Sequence, residues 1–463
     1  MKHTINKDIL KACDIRGIYN EDLFEEDFYY IGLAFATILD EKNLKICAVG
    51  RDGRLSSPSL TKSLIDGLLE GGVDVVDLGF VSTPGVYFAQ THLKTGGACM
   101  VSASHNPGKY NGCKFVIDGE VFTTKYINQI DEICLNGDFI KPNVKGQLSF
   151  HDIIEDYIEN LLKVINLDSL KNSNIVWDAS NGASLFMLKS LIDRLPGAHT
   201  IICDTVDGSF PNHEPDPSKE ANMMDLKKAT IEKKADLGIA FDGDGDRLGC
   251  VTEDGTFVTG EQLLLILAKD YLLTHPGAKI MSEVKASKVL YSEIEKAGGV
   301  PVMWKVGHTM QQEKAFSDNI GLAGETSGHV FYLENNGQDD GTYAALRLLD
   351  LIYNKNNKTL KAMVDEIPPV ITKGEIRLFM ESSNREKLVI KLREKLSKDG
   401  RDFNEIDGVR VECNDGFWLI RGSNTQPQIT TYVEAFNVMA YEETLDDMKS
   451  YLSYGGYDYD ELS

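Results

Sequence analysis

Three aspartates in five residues, Asp242, Asp244 and Asp246, precede Arg247 in the hexapeptide DGDGDR. Carboxylates held this close repel one another, so a cation is the natural compensation. Hard oxygen donors favour Mg2+ or Ca2+ over a soft metal. Gly243 and Gly245 let the backbone bend so that alternate carboxylates converge. The spacing also overlaps an EF-hand loop, with Glu253 at the twelfth position. However, Arg247 occupies the sixth position, where the sharp turn needs glycine, and the flanks LGIAF and LGCVT read as strands rather than helices. An EF-hand is therefore excluded.

Three further motifs carry polar chemistry. SASHNP (102–107) puts Ser104 at the tip of a strand, where its hydroxyl could carry a phosphoryl group. A serine–histidine hydrolase pair is disfavoured, because sequence neighbours rarely meet in the required geometry and no G-x-S-x-G elbow is present. Lys114, on the following CKFV strand, could present an ammonium near the same serine. In GETSGH (324–329), Glu325 and Ser327 could grip vicinal hydroxyls of a sugar. RGSNTQP (421–427) combines Arg421, Ser423, Asn424 and Thr425, the donors that a dianionic phosphate needs. Arg16, Lys285, Gly307 and His308 are supporting candidates, and Arg51 and Arg54 could brace the loop below Ser104 through ion pairs.

The elements that must position these residues follow from the patterning. Short apolar runs alternate with helical stretches: KICAVG (45–50), VDVVDLG (73–79), GACMVSA (97–103), NIVWDAS (174–180), HTIICD (199–204), LGIAFDG (237–243), AKIMSEV (278–284), PVMWKV (301–306) and IGLAGE (320–325). After the first, Ser57 suits a helix cap, Pro58 its first position and Gly71 its end. Strands separated by helices predict parallel sheets, in three successive groups of three strands. From GEIRLFM (374–380) onward the pattern changes to a mostly antiparallel sheet, with helices near 384–398 and 442–452. Four domains are expected, at 1–147, 148–252, 253–367 and 368–463, the last a smaller α+β unit. SHNP, DGDGDR and GETSGH each follow the carboxyl end of a strand, where ligands of open α/β sheets bind, so three domains could share one central cleft with the fourth closing over it.

Composition narrows the function. Across 463 residues, Asp+Glu 71 against Lys+Arg 48 gives a net charge of −23, which argues against nucleic-acid binding and against docking on an anionic membrane. A small anionic substrate is still admissible, because it responds to the local potential in a cleft. The 8 cysteines include no C-x-x-C pair and read as reduced. With no secretory h-region and no long apolar stretch, the expectation is a cytoplasmic enzyme.

Taken in this order and spacing, CDIRG, SASHNP, DGDGDR, WKVGHT, GETSGHVFY, DDGTYAALRLL and RGSNTQP resemble the α-D-phosphohexomutase superfamily nearly end to end, with bacterial phosphomannomutase/phosphoglucomutase as the best match. The resemblance implies three similar α/β domains with mixed, mostly parallel sheets, plus a smaller C-terminal α+β domain around a central cleft. It implies that hexose 1-phosphate and hexose 6-phosphate (mannose and/or glucose) are interconverted through a hexose 1,6-bisphosphate. Ser104 would be the phosphoserine. One Mg2+ would sit on Asp242, Asp244 and Asp246 with a Ser104 phosphate oxygen. Glu325 and Ser327 would read sugar hydroxyls. Arg421, Ser423, Asn424 and Thr425 would hold the non-reacting phosphate, with Lys285, Gly307 and His308 nearby. Arg16, Lys114, Arg247 and His329 would supply acid–base and charge-stabilising groups. A monomer or dimer is expected. Phosphoglucosamine mutase is the nearest alternative, and a catalytically silent sugar-phosphate-binding paralogue is another. Cys13 and Thr326 depart from the residues that relatives often carry at those positions.

Overall fold

The computed structural model describes residues 2–356, 358–422, 428–457 and 459. The chain divides into two compact units. One comprises Met1–Leu263 and Ser327–Val364, the other Leu264–Thr326 and Asp365–Ser463.

The first unit contains two mixed sheets. In the first sheet, Gly97–Val101, Ile46–Arg51, Asp74–Phe80 and Leu148–Phe150 run parallel, and Tyr110–Ile117 lies antiparallel beside Gly97–Val101. Ile15–Ile18 closes that edge, antiparallel to Tyr110–Ile117, and Glu120–Val121 folds back on the same strand. Gly97–Val101 is buried along its whole length, as its continuous apolar run requires of a strand covered on both faces. Helices Glu25–Glu41 and Ser57–Glu70 pack on the sheet, contributing Phe28, Ile31, Phe35, Leu60, Leu64 and Leu68 to its core.

In the second sheet, Ala198–Ile202, Asn174–Asp178 and Leu237–Phe241 run parallel. Leu248–Thr252 turns back antiparallel to Leu237–Phe241, followed by Phe257–Val258. DGDGDR is thus the loop of a β-hairpin, and strands flank it as expected.

In the second unit, Lys279–Glu283 runs parallel between Val300–Trp304 and Leu322–Gly324. A fully antiparallel sheet follows, ordered Ile371–Thr372, Gln428–Ala435, Gly416–Gly422 and Val409–Cys413, with Ile376–Phe379 also paired to Gln428–Ala435. Helices Ser382–Lys398 and Val438–Gly455 complete it around Trp418, Leu392 and Leu452. Its other face meets the parallel layer through Phe417, Leu419 and Val284. Arg410 Nη1 ties the two layers by donating to the carbonyls of Val284 and Ala286 (2.7 Å each).

Two sequence expectations need correction. The first two sheets have seven and five strands, not three each. Tyr110–Ile117 and Leu248–Thr252 contain the CKFV and LGCVT strands already expected; of the others, IRGI and LSF are short and lack an apolar run, and LSF is exposed. Such strands can sit at an edge without a buried face to write a pattern. Ser57 is also not a cap. Helix Ser57–Glu70 is preceded by Ser56, and Ser57 Oγ instead donates to Asp52 (2.5 Å).

Candidate active site

The loop after Gly97–Val101 carries Ser104 in a left-handed conformation (φ 50°), which is costly for a side chain with a Cβ and persists only where surroundings enforce it. The enforcing group is Arg54. This buried guanidinium donates to the carbonyls of Ser104 (2.7 Å), Asn106 (2.6 Å), Pro107 (2.7 Å) and Tyr110 (3.0 Å). Its Nε donates to Asp52 (3.0 Å). Asp52 also accepts from Ser102 (2.8 Å), whose Oγ in turn accepts from the Ser104 amide (2.9 Å).

Ser104 and its histidine neighbour do meet, against expectation: Ser104 Oγ lies 3.2 Å from His105 Nδ1. The turned backbone at Ser104 brings them together. The serine hydroxyl, however, donates to Asp242 Oδ2 (2.7 Å). The two loops touch at Gly243, where a Cβ would lie 2.5 Å from the Ser104 carbonyl oxygen. Gly245 turns the hairpin with φ 81°.

The three aspartates are fully buried. Asp242 Oδ1 accepts from the amides of Gly245 (2.9 Å) and Arg247 (3.2 Å). Burial pushes the Asp242 carboxyl well above the usual carboxylate range, and Asp246 and Asp244 push the same way. Burial is the largest influence on Asp244 and Asp246 and opposes their ionisation, as does Asp246 at Asp244, but Lys114 together with Thr83 at Asp244, and Lys114 together with His329 and Arg247 at Asp246, hold both below the ordinary value. Lys114 Nζ donates to Asp244 Oδ2 (2.7 Å) and to Asp246 Oδ2. Thr83 Oγ1 donates to Asp244 Oδ2 (2.6 Å).

This donor set fits a hard cation. Carboxylate oxygens of Asp242, Asp244 and Asp246 lie within 4.8 Å of one another. Asp244 Oδ1 and Asp246 Oδ1 are buried without a hydrogen-bond donor among the described residues, as coordinating oxygens would be.

Arg247 and His329 sit side by side through an isolated bridge, with Arg247 Nε donating to His329 Nε2 (3.0 Å). His329 Nδ1 stands 2.8 Å from Asp339 and 3.8 Å from Asp246. Arg16 reaches the serine loop by donating to Asn106 Oδ1 (2.8 Å), and pairs with Asp14 (2.5 Å). The first unit therefore gathers Ser104, the three aspartates, Lys114, Arg247, His329 and Arg16.

The second unit gathers another set. Glu325 Oε1 accepts from the Gly307 amide (3.0 Å). The adjacent Val306 amide donates to Asp407 Oδ2 (3.1 Å), and the same oxygen accepts from Arg421 Nε (3.1 Å). Asp407 thus couples the 305–308 loop to Arg421. Lys285 pairs with Glu375 (2.6 Å) and Glu283 (3.4 Å), and Glu283 also accepts from the Thr326 amide (3.2 Å) and hydroxyl. His308 opens helix His308–Asp318, with Gly307 as its cap. Ser327 falls in the first unit, so GETSGH is divided between the two. Ser423, Asn424 and Thr425 lie outside the described residues.

Three family profiles match: phosphoglucomutase/phosphomannomutase alpha/beta/alpha domain I at residues 7–141, domain II at 155–255 and domain III at 259–370. A phosphoglucomutase of Neisseria gonorrhoeae is 37% identical over 450 residues, covering 96% of this chain and 97% of the relative. The chain belongs to the phosphoglucomutase/phosphomannomutase family. A phosphomannomutase/phosphoglucomutase of Pseudomonas aeruginosa is 36% identical over 448 residues, covering 96% of this chain and 95% of the relative. A solved structure of a phosphoglucomutase/phosphomannomutase family protein from Burkholderia thailandensis superposes with a TM-score of 0.91 at 34% identity, covering 98% of each chain. Three α/β domains with mixed sheets and an added C-terminal sheet domain are thus shared with this family.

Sequence reasoning missed three residues in this member of the phosphoglucomutase/phosphomannomutase family. Thr83 carries no local motif and Asp339 opens DDGTYAALRLL without a role assigned to it; only the fold brings them to Asp244 and His329. Asp407, in the turn EIDGVR, looks like an ordinary Asp-Gly turn until its partners are known.

Proposed function

We propose that the chain is a phosphohexomutase that interconverts hexose 1-phosphate and hexose 6-phosphate, with mannose and/or glucose as the sugar. One observation carries the reading: Ser104 Oγ lies 2.7 Å from Asp242 within a buried triad whose other two carboxylates each keep an oxygen without a donor among the described residues. The names of the relatives from Neisseria gonorrhoeae and Pseudomonas aeruginosa support the same activity.

Segments 1–147, 148–252, 253–367 and 368–463 would carry the phosphoserine, metal, sugar and phosphate loops. Asp242, Asp244, Asp246 and a phosphate oxygen on Ser104 would hold one Mg2+, which when bound supplies Lewis-acid neutralisation of the moving phosphoryl group. Arg421, with Ser423, Asn424 and Thr425, binds the phosphate that does not react. Glu325 and Ser327 accept and donate to sugar hydroxyls, and Lys285, Gly307 and His308 line the same substrate. The free sugar hydroxyl loses its proton to a side chain and its oxygen bonds to the Ser104 phosphorus, while the bond from phosphorus to Ser104 Oγ breaks. Arg16, Lys114, Arg247 and His329 stabilise the charge and handle that proton. The hexose 1,6-bisphosphate then returns its other phosphoryl group to Ser104, which leaves the enzyme charged and the isomer released.

The test is turnover of glucose, mannose and glucosamine 1-phosphates side by side, with intact mass reporting phosphate on Ser104. Glucose and/or mannose phosphate should be the preferred substrate, whereas preference for glucosamine 1-phosphate would redirect the assignment. Ser104→Ala should lower turnover by more than about 10^4-fold with the fold retained. Retained turnover in that variant would sink the mechanism.

A further inference from the structure

A second cluster of ligand-type side chains lies in the second sheet, outside the chemistry above. Asp178 ends the strand Asn174–Asp178, and Cys203 directly follows the neighbouring parallel strand Ala198–Ile202. The loop after Cys203 returns His213 to them. His213 Nε2 is 2.9 Å from Asp178 Oδ2 and 3.7 Å from Cys203 Sγ. One ligand atom from each of the three residues falls within a 4.8 Å group.

An ion pair between Asp178 and His213 would fasten the loop without the thiol. The position of Cys203 is what that simpler role leaves unexplained. Cys203 holds a left-handed backbone (φ 51°), rare for a side chain of this kind, and there its sulfur faces the imidazole. Burial pushes its thiol up, aided by the Asp178 carboxylate, so it is not an activated nucleophile. Two outer contacts are already those of a metal site. His213 Nδ1 donates to the Glu214 carbonyl (2.9 Å), so Nε2, whose proton faces Asp178 Oδ2, is the nitrogen that would take a cation in exchange for that proton. Asp178 Oδ1 accepts from the Ser180 amide (2.8 Å), which orients Oδ2 toward the cluster. Asp178 is fully buried while His213 keeps 11% of its side chain exposed, which leaves an approach for an ion. Asp204 and Asp225 add negative potential around the cysteine.

We propose that Asp178, Cys203 and His213 form a site for a zinc-class divalent cation, with water as fourth ligand. Thiolate, imidazole and carboxylate together select zinc over the hard cations suited to the aspartate triad. Ideal tetrahedral bonds set ligand atoms about 3.3–3.6 Å apart. The sulfur–nitrogen separation matches that spacing, and the nitrogen–oxygen pair would open by about 0.4 Å to reach it. Binding releases the thiol proton, and the Nε2 proton where His213 is imidazolium, to the buffer. The ion would pin the loop that also presents Pro215 to Gly243 and Asp216 to Arg247 (3.7 Å), thereby backing the aspartate hairpin.

The probe is Co2+ added to the full-length chain in saturating Mg2+, which occupies hard-oxygen sites. A near-ultraviolet thiolate-to-cobalt charge-transfer band should appear at one equivalent and be displaced by Zn2+. Cys203→Ser should abolish the band, and His213→Gln should weaken Zn2+ affinity at least about tenfold, while both retain the wild-type circular dichroism spectrum and Mg2+-dependent turnover. Absence of the band in the wild type, or its persistence in Cys203→Ser (a signal from Cys13 or Cys413), would overturn the site. Should Cys203→Ser fail to fold, unchanged Zn2+ affinity in His213→Gln would overturn it equally.

Discussion

The two units solve different problems. Around Ser104, the polar groups are buried and braced several deep: Arg54 holds four carbonyls, Asp52 anchors Arg54, and Lys114 bridges two aspartates. Around Arg421 and Glu325, the described contacts run through backbone amides and a shared carboxylate: Asp407 Oδ2 serves both Arg421 and Val306, and the Gly307 amide meets Glu325. Phosphoryl transfer needs charges fixed before the reaction begins. A sugar that, in the proposed cycle, presents first one end and then the other to Ser104 would be served better by a few general contacts. The difference teaches that rigidity is invested where charge develops.

If so, the largest effects of substitution belong to the first unit. Asp246→Asn removes one carboxylate facing Lys114 and should lower turnover by about a thousandfold, with substrate KM changing far less. A loss of only a few-fold would break the comparison. Arg54→Ala leaves Asp52 buried and four carbonyls without their donor, at a cost of about 3–5 kcal/mol in denaturant unfolding. Arg54→Lys should recover little, because one ammonium cannot serve the same fork of acceptors.

Next in size is the effect of magnesium itself. The donorless oxygens of Asp244 and Asp246 predict that Mg2+ at a hundredfold over its Kd stabilises the chain by about 2.7 kcal/mol, reversed by a chelator. A Tm indifferent to Mg2+ would count against the triad as a metal site. In the second unit, Arg421→Ala should raise KM for the sugar phosphate by about tenfold to a hundredfold, the worth of a charge-assisted pair, with little change in stability. Asp407→Asn keeps an acceptor but loses the charge, and a KM rise of about threefold is expected. Equal effects of the Arg421 and Asp407 changes would mean that Asp407 takes part in binding rather than in orienting Arg421.

Much of this arrangement was legible in the sequence where residue type and local spacing coincide. The apolar runs of Gly97–Val101 and Leu237–Phe241 announced buried strands, and the flanks of DGDGDR read as the strands they are, around an acidic cluster consistent with a metal site. The edge strands Ile15–Ile18 and Leu148–Phe150 were not legible, since an edge needs no apolar face. Nor were Thr83 and Asp407, whose roles depend on partners far along the chain. Arg54 was suspected as a brace through ion pairs. In the structure most of its work is donation to carbonyls, which leave no trace in a sequence.

The contact between Ser104 and Asp242 joins positions 138 residues apart. Arg54 holds the backbone turn at Ser104, but the packing of Gly243 against the Ser104 carbonyl, and with it the Asp242 partner, must wait for the hairpin at 242–247. Closing so long a loop comes late when a chain folds from its N-terminus during synthesis. Competence for catalysis is therefore a late folding event. On the proposed mechanism, a nascent chain released before the hairpin would hold Ser104 without its Asp242 partner, so the hydroxyl would be armed only once the second sheet has been made.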